Sequence, residues 1–207
     1  MTHQNIYDIN KISASILRNK YLVFTKFLRF FTSLYPTSII KVFIENNEME
    51  LHIKKNNLLN FFKFLKDHSW TQFKVVSDII AVDYPGRGNR FDVIYQMLSQ
   101  RYNSRMNILL SIGELTSLPS ITSLYKGASW YEREVWDLFG IFFEGHPDLR
   151  RILTDYSFEG HPLRKDFPLT GYFEVFYDDT QKRIVYEPVS LAQEYRYFTF
   201  NNPWIES

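Results

Sequence analysis

The chain has 207 residues, of which 45% are hydrophobic and 18% aromatic, and its formal net charge is +1. This length and apolar content allow one domain of ordinary size with a substantial extension. The lack of any cysteine excludes disulfides and excludes an iron–sulfur cluster or zinc site held by thiolates of this chain. We expect a soluble protein without a secretory signal, an Arg-rich presequence or a membrane span.

Charge is unevenly distributed along the chain. Residues 1–129 contain sixteen Lys and Arg against nine Asp and Glu, whereas residues 130–207 contain eight against fourteen. Such asymmetry raises the hypothesis that the basic part binds nucleic acid. The basic residues are scattered, however, without a run of five. We therefore prefer a solvated surface of mixed charge and no nucleic-acid partner.

The first part of the chain alternates between helical and strand patterns. Apolar residues recur at helical spacing from Asn10 to about Thr32, and Pro36 prevents the helix from continuing. Apolar and polar residues then alternate over residues 40–44 and again over residues 49–53. Asn46-Asn47 between them suits a tight turn, so this segment is predicted to be a hairpin.

A further helix and three more strands follow. Helical spacing extends from Leu58 to Leu65, and strands are predicted at residues 73–83, 91–98 and 106–112. The order is helix, two strands, helix, three strands. It predicts an α+β fold, in which helices cover one face of a mixed five-stranded sheet in a two-layer domain.

The clearest helix lies after a turn-rich segment. Ser129 and Glu132 have the spacing of a capping box, in which each side chain bonds the backbone N–H of the other residue. The helix is predicted to run from Trp130 to about Phe139. Gly140 is expected to end it in the left-handed conformation.

The residues after this helix lack periodicity but are rich in proline, acids and aromatics. A long segment of this kind is uncommon inside a compact domain, yet it is too aromatic for ordinary disorder. We predict a long extended C-terminal arm that lies across another protein. The predicted organisation is therefore an α+β domain at residues 1–128, followed by the capped helix and the partner-binding arm at residues 129–207.

A short repeat marks the start of the arm, because Phe-Glu-Gly-His-Pro occurs at residues 143–147 and again at residues 158–162. Its histidines, His146 and His161, raise the hypothesis of a metal-dependent enzyme. A zinc site needs three or four protein ligands, and no HExxH or i, i+4 histidine pair is present. Two turn histidines are the preferred interpretation. No P-loop, dinucleotide fingerprint or G-x-S-x-G elbow is present, so we predict no catalytic, cofactor-binding or metal residue.

The segments Glu132–Gly140, His146–Leu153 and Thr154–Tyr172 together resemble the signature of a known family. They are similar to the 30 kDa subunit (subunit 9) of respiratory complex I, NADH:ubiquinone oxidoreductase. The resemblance covers residues 75–207, whereas the first 70 residues match only in the order of their elements. Ser157 stands where the family usually has Gly.

The resemblance implies a core subunit of the hydrophilic, peripheral arm of this proton-translocating enzyme. FMN and iron–sulfur clusters would lie in partner subunits, and the C-terminal arm would wrap the large quinone-site subunit. It also implies the mitochondrially encoded form, on the matrix side of the inner membrane and without a membrane span. The abundance of Phe, Tyr, Ile, Asn and Lys, which have AT-rich codons, agrees. A bacterial or chloroplast relative remains the alternative.

Interface residues are expected on the helix and the arm. Glu134 and Asp137, three residues apart, are expected to hold an arginine from elsewhere in the chain. Arginine near aromatic side chains is typical of interface hot spots. The residues predicted to contact partner subunits are Glu134, Trp136, Asp137, His146, Arg150, Arg151, His161, Arg164, Lys165, Asp166, Arg196 and Trp204.

Overall fold

The computed structural model describes residues 29–45, 48–198 and 204. The chain divides into two compact units, of which the first ends at Asp166 and the second begins at Phe167. The first unit contains β1 (Ile39–Glu45), β2 (Glu48–Ile53), α1 (Leu58–Asp67), β3 (Val75–Asp83), β4 (Phe91–Ser99), β5 (Ser104–Ile112), β6 (Leu118–Pro119), α2 (Ala128–Phe139) and β7 (Phe143–Glu144). The second contains β8 (Phe173–Asp178) and β9 (Arg183–Pro188). The predicted division of roles at residue 128 stays a prediction.

A five-stranded mixed sheet forms the centre of the first unit. Its strand order is β1-β2-β5-β4-β3, with β2 and β5 parallel and the other pairs antiparallel. Alternate residues of β4 and β5 are buried, so that Tyr95 lies opposite Ile108 in the core. Helix α1 packs on this face, where the Phe62 ring lies 5.0 Å from the Tyr95 ring. The α+β prediction with a mixed five-stranded sheet is confirmed.

The predicted N-terminal hairpin is also confirmed. Val42 pairs with Leu51 and Ile44 with Met49, as the alternating pattern requires. The Asn46-Asn47 turn lies outside the described residues. Of the first predicted helix, only the part from residue 29 onward is described, and residues 29–34 are helical.

The segment between β5 and α2 carries more structure than its turn-rich sequence indicates. Strand β6 pairs in parallel with β7, which comes after α2. Ile121 and Tyr125 are buried, and the Tyr125 hydroxyl donates a hydrogen bond of 2.7 Å to the Phe73 carbonyl. The segment therefore ties the residues just before and just after α2 to the rest of the first unit.

The arm contains one regular element that periodicity did not predict, the antiparallel hairpin of β8 and β9. Within the described ranges, every helix falls short of the length and apolarity that a membrane crossing needs.

Candidate functional site

Helix α2 is the element around which the predicted site residues gather, and it ends as the sequence predicts. Gly140 has a φ of 79°, and its N–H donates to the Trp136 carbonyl at 2.9 Å. The predicted capping box at the start is wrong. The N-cap is Gly127, which makes no side-chain cap bond, and the helix begins at Ala128.

Glu132 faces the preceding segment because it finds better donors there. Its carboxylate accepts hydrogen bonds from the Ser120 hydroxyl at 2.6 Å and from the Ile121 N–H at 2.8 Å. The side chain is fully buried, and this burial raises the pKa of Glu132 to about 7. His146 Nε2 lies 3.9 Å from Glu132 Oε2. Helix α2 thus contains, just after its first turn, a buried carboxyl group whose pKa lies near neutral pH.

Asp137, near the other end of α2, organises the loop that follows the helix. Its carboxylate accepts the backbone N–H groups of Ile152, Leu153 and Thr154 at 3.1, 2.9 and 3.0 Å. The Thr154 hydroxyl at 2.6 Å and Arg151 Nη1 at 2.8 Å complete the set. Burial alone would raise the pKa of the Asp137 carboxyl, but these hydrogen bonds hold it well below its usual range.

The predicted arginine partner is therefore confirmed for Asp137, which binds Arg151. Glu134, predicted to share that arginine, makes no hydrogen bond or ion pair with any residue in the described part of the chain. On a helix, residues three apart are neighbours, but Asp137 is enclosed by the following loop while Glu134 is only half-buried.

Two side chains from the second copy of the repeat region close the C-terminal end of α2. His161 Nδ1 donates to the Asp137 carbonyl at 2.9 Å, and Arg164 Nε donates to the Phe139 carbonyl at 2.6 Å. They satisfy carbonyls that a helix end leaves without partners. Both pack on Gly140, where an added Cβ would lie 2.6 Å from Arg164 Nη2. Burial lowers the pKa of His161.

The two repeat histidines bind opposite ends of the same helix. His146 Nε2 lies 3.2 Å from the Ser129 carbonyl in the first turn, whereas His161 bonds Asp137 in the last. The glycines before them, Gly145 and Gly160, both have positive φ, at 77° and 100°. Among the described residues, no three His, Asp or Glu side chains come together as a metal-binding group.

A second ion-pair network holds the end of the first unit. Arg90 donates to both carboxylate oxygens of Asp83 at 2.8 and 2.9 Å, and lies 3.0 Å from Asp166 Oδ2. The Lys165 N–H also donates to Asp83 at 2.8 Å. The hydrogen bonds from Arg90 lower the pKa of Asp83. The sequence patterns did not predict this network, and its one signal is that Asp83 and Arg90 lie within residues 75–207, where the chain resembles the family.

The predicted interface residues thus fall into three groups. Several are bonded within the first unit and build its internal networks, namely Asp137, His146, Arg151, His161, Arg164 and Asp166. Trp136 and Glu134 are half-buried. The exposed ones are Arg150, which pairs with Asp148 at 2.8 Å, Lys165, Arg196 and Trp204. A contact with a partner protein stays a prediction for all of them.

Each unit has exposed large apolar side chains, and the predicted interface residues largely did not include them. In the first unit, Leu153 is 61% and Tyr156 98% exposed. Besides Trp204, the described residues of the second unit include twelve large apolar side chains that are at least 42% exposed: Leu169, Tyr172, Phe173, Val175, Phe176, Tyr177, Ile184, Tyr186, Leu191, Tyr195, Tyr197 and Phe198.

Comparisons with known proteins agree with this description. Residues 51–173 match the family model described as "Respiratory-chain NADH dehydrogenase, 30 Kd subunit". NADH-ubiquinone oxidoreductase subunit 9 of Reclinomonas americana is 54% identical over 171 residues, which cover 83% of this chain and 84% of that one. The mitochondrial NADH dehydrogenase [ubiquinone] iron-sulfur protein 3 of Candida albicans is 53% identical, over 84% of this chain and 62% of its own.

The fold has a relative among solved structures as well. A chain of the membrane-bound sulfane sulfur reductase, an archaeal respiratory membrane complex, superposes with a TM-score of 0.60 at 22% identity. The match covers 70% of this chain and 85% of that chain. The likeness shows a shared fold, and the sequence relatives show the family. The chain therefore belongs to the family of the 30 kDa subunit of the respiratory-chain NADH dehydrogenase.

Proposed function

We propose that this chain is a structural subunit of the hydrophilic arm of complex I, on the matrix side of the mitochondrial inner membrane. The proposal rests on the many large apolar side chains that the second unit exposes. Leaving this surface in water costs about 25 cal/mol per Å² relative to burying it. A neighbouring subunit of the complex would cover it, and the large quinone-site subunit is the proposed neighbour.

We further propose that the chain itself binds no redox cofactor. It contains no cysteine, so it cannot supply the thiolates that hold iron–sulfur clusters. FMN and the clusters are assigned to partner subunits, as are quinone reduction and proton translocation.

The internal networks suit such a role because they fix the first part of the arm. Asp137 holds residues 152–154 through their backbone, and Arg90 and Asp83 hold residues 165 and 166. A partner docking here meets a preformed surface, so that less conformational entropy is lost on binding. The contribution to catalysis would be indirect, through the positions of neighbouring subunits that carry clusters.

The test is recovery of the tagged full-length chain from gently solubilised mitochondrial membranes, with identification of its companions by mass spectrometry. We expect a very large assembly that contains flavin and iron–sulfur proteins and oxidises NADH. Cross-linking should join the arm to the quinone-site subunit. Recovery of the chain as a small free protein would contradict the proposal, and cross-links from the arm only to other subunits would contradict the choice of neighbour.

A further inference from the structure

The two faces of the β8–β9 hairpin differ sharply in chemistry. On one face the cross-strand pairs are wholly apolar: Phe173 with Pro188, Val175 with Tyr186, and Tyr177 with Ile184. Their large side chains are between 51% and 62% exposed. An isolated two-stranded hairpin is marginally stable in water, and this one leaves its most apolar face largely exposed.

The opposite face carries an unfavourable charge pair. Glu174 lies directly across from Glu187, both are exposed, and neither makes an ion pair with any described residue. Side chains directly opposite in an antiparallel pair are about 5 Å apart at Cβ, where like charges destabilise the strands. The neighbouring pair on this face is Phe176 with Val185, and Phe176 is 44% exposed.

Both faces therefore have apolar surface to bury. Burial of the face that carries Phe176 and Val185 would also take the carboxylates of Glu174 and Glu187 out of water. Desolvating like charges without a counter-charge is strongly unfavourable. A surface that covers Phe176 and Val185 must then bring a cation to Glu174 and Glu187. An arginine can bond two carboxylates at once through its planar guanidinium group.

We propose that the hairpin inserts into a cleft of a neighbouring complex I subunit, with one apolar wall and with an arginine or lysine that binds Glu174 and Glu187 together. This inference rests on the proposed function, because it assumes that the arm docks on a partner subunit. The partner subunit would carry a cationic side chain where it meets Glu174 and Glu187. The glutamate pair, which weakens the free hairpin, becomes a recognition element in the complex.

Charge reversal tests the inference in the assembled complex. In full-length chains that replace the native one, Glu174→Lys and, separately, Glu187→Lys turn the repulsive pair into an attractive one and preserve the free hairpin. Both variants would repel the partner's cation. We expect retention of the chain in the purified complex to weaken by about thirtyfold or more, the loss typical of a disrupted buried charge pair at an interface.

Asp179→Lys is the matched control, because it makes a charge change of the same size in the exposed turn between the two strands. We expect it to be retained like the native chain. Equal retention of all three lysine variants would overturn the proposed cation. A double variant of the apolar face, Val175→Ser with Ile184→Ser, distinguishes docking of the hairpin from binding of the proposed cation. If it is lost while the lysine variants are retained, the arm docks without the cation; if it too is retained, the docking role of the hairpin itself is wrong.

Discussion

Thr154 donates two hydrogen bonds to Asp137, one from its N–H to Oδ2 at 3.0 Å and one from its hydroxyl to Oδ1 at 2.6 Å. The residues are 17 positions apart in sequence. Their connection ties the loop after α2 to a buried side chain of the helix. Because the Asp137 side chain is fully buried, its hydrogen bonds are protected from competition with water.

Replacing Asp137 with Asn should destabilise the first unit strongly. The amide cannot accept all the hydrogen bonds of the carboxylate, and Arg151 would lose its counter-charge. We expect a loss of about 3–5 kcal/mol in the free energy of unfolding, measured by urea denaturation. Glu134→Gln, on the same helix but without such partners, should change stability by less than about 0.5 kcal/mol. Equal effects of the two changes would show that the network is not what stabilises the loop.

Gly140→Ala should be more damaging than an ordinary Gly-to-Ala change. The residue has a φ of 79°, and the new Cβ would meet Arg164 Nη2 at 2.6 Å and His161 at 2.7 Å. We expect a loss of about 2–4 kcal/mol from backbone strain and displaced side chains. Gly127→Ala, at the other end of α2, provides the comparison because its φ is −63° and nothing lies within 4 Å of the added carbon. It should be neutral or slightly stabilising; a comparable loss there would contradict the argument.

Glu132 should make stability depend on pH in a predictable direction. Burial raises its pKa from the ordinary value of 4.5 to about 7, so the folded chain binds this proton more tightly than the unfolded chain. The resulting stabilisation is fully present below pH 4.5 and is lost as the pH rises to about 7. Its size is on the order of 3 kcal/mol.

Glu132→Gln provides the measurement, because the amide stays neutral at every pH. Urea denaturation of both proteins across this window should show that the native chain loses stability relative to the variant as the pH rises. Groups whose pKa is lowered, such as Asp137, act at lower pH and are common to both proteins. A constant difference between the two proteins would mean that Glu132 does not titrate in this range.

Arg164→Ala should reduce the amount of complex I without reducing the turnover of the complex that remains. Arg164 binds the Phe139 carbonyl at 2.6 Å and Glu114 at 2.8 Å, so its contacts are structural. We expect the assembled complex, quantified on native gels, to fall several-fold. Arg150→Ala, which removes only the exposed pair with Asp148, should have less effect on assembly. Normal amounts of an inactive complex would contradict the structural role.

Local patterns were sufficient to predict the sheet and the end of α2. Residues 40–44 and 49–53 alternate, and one face of each strand is buried, so their period of two is visible in the sequence. Gly140 could be predicted because the residue that ends a helix often adopts the left-handed conformation, which glycine adopts without strain. Such features depend on neighbours in sequence and can be predicted from them.

The prediction that Glu132 belongs to a capping box is wrong because contacts distant in sequence outweigh the local pattern. Its spacing from Ser129 satisfies the capping-box pattern, but donors from residues 120 and 121 compete for the same carboxylate and bind it in a buried site. The hydrogen-bond donors to the Asp137 carboxylate lie 14 to 17 residues away, and no local pattern encodes them. The β8–β9 hairpin escaped prediction because apolar residues occur on both of its faces, which removes the alternation.

His146 and His161 contact opposite ends of α2, so the distance between the two histidines is tied to the length of the helix. Their contacts on the helix, Ser129 and Asp137, are separated by eight residues, a rise of about 12 Å. The 15-residue spacing of the repeat therefore has to match the length of the helix. Adding one residue to α2 would rotate its two ends by about 100° relative to each other. Insertions and deletions in the helix would therefore have to be matched by compensating changes in the loop.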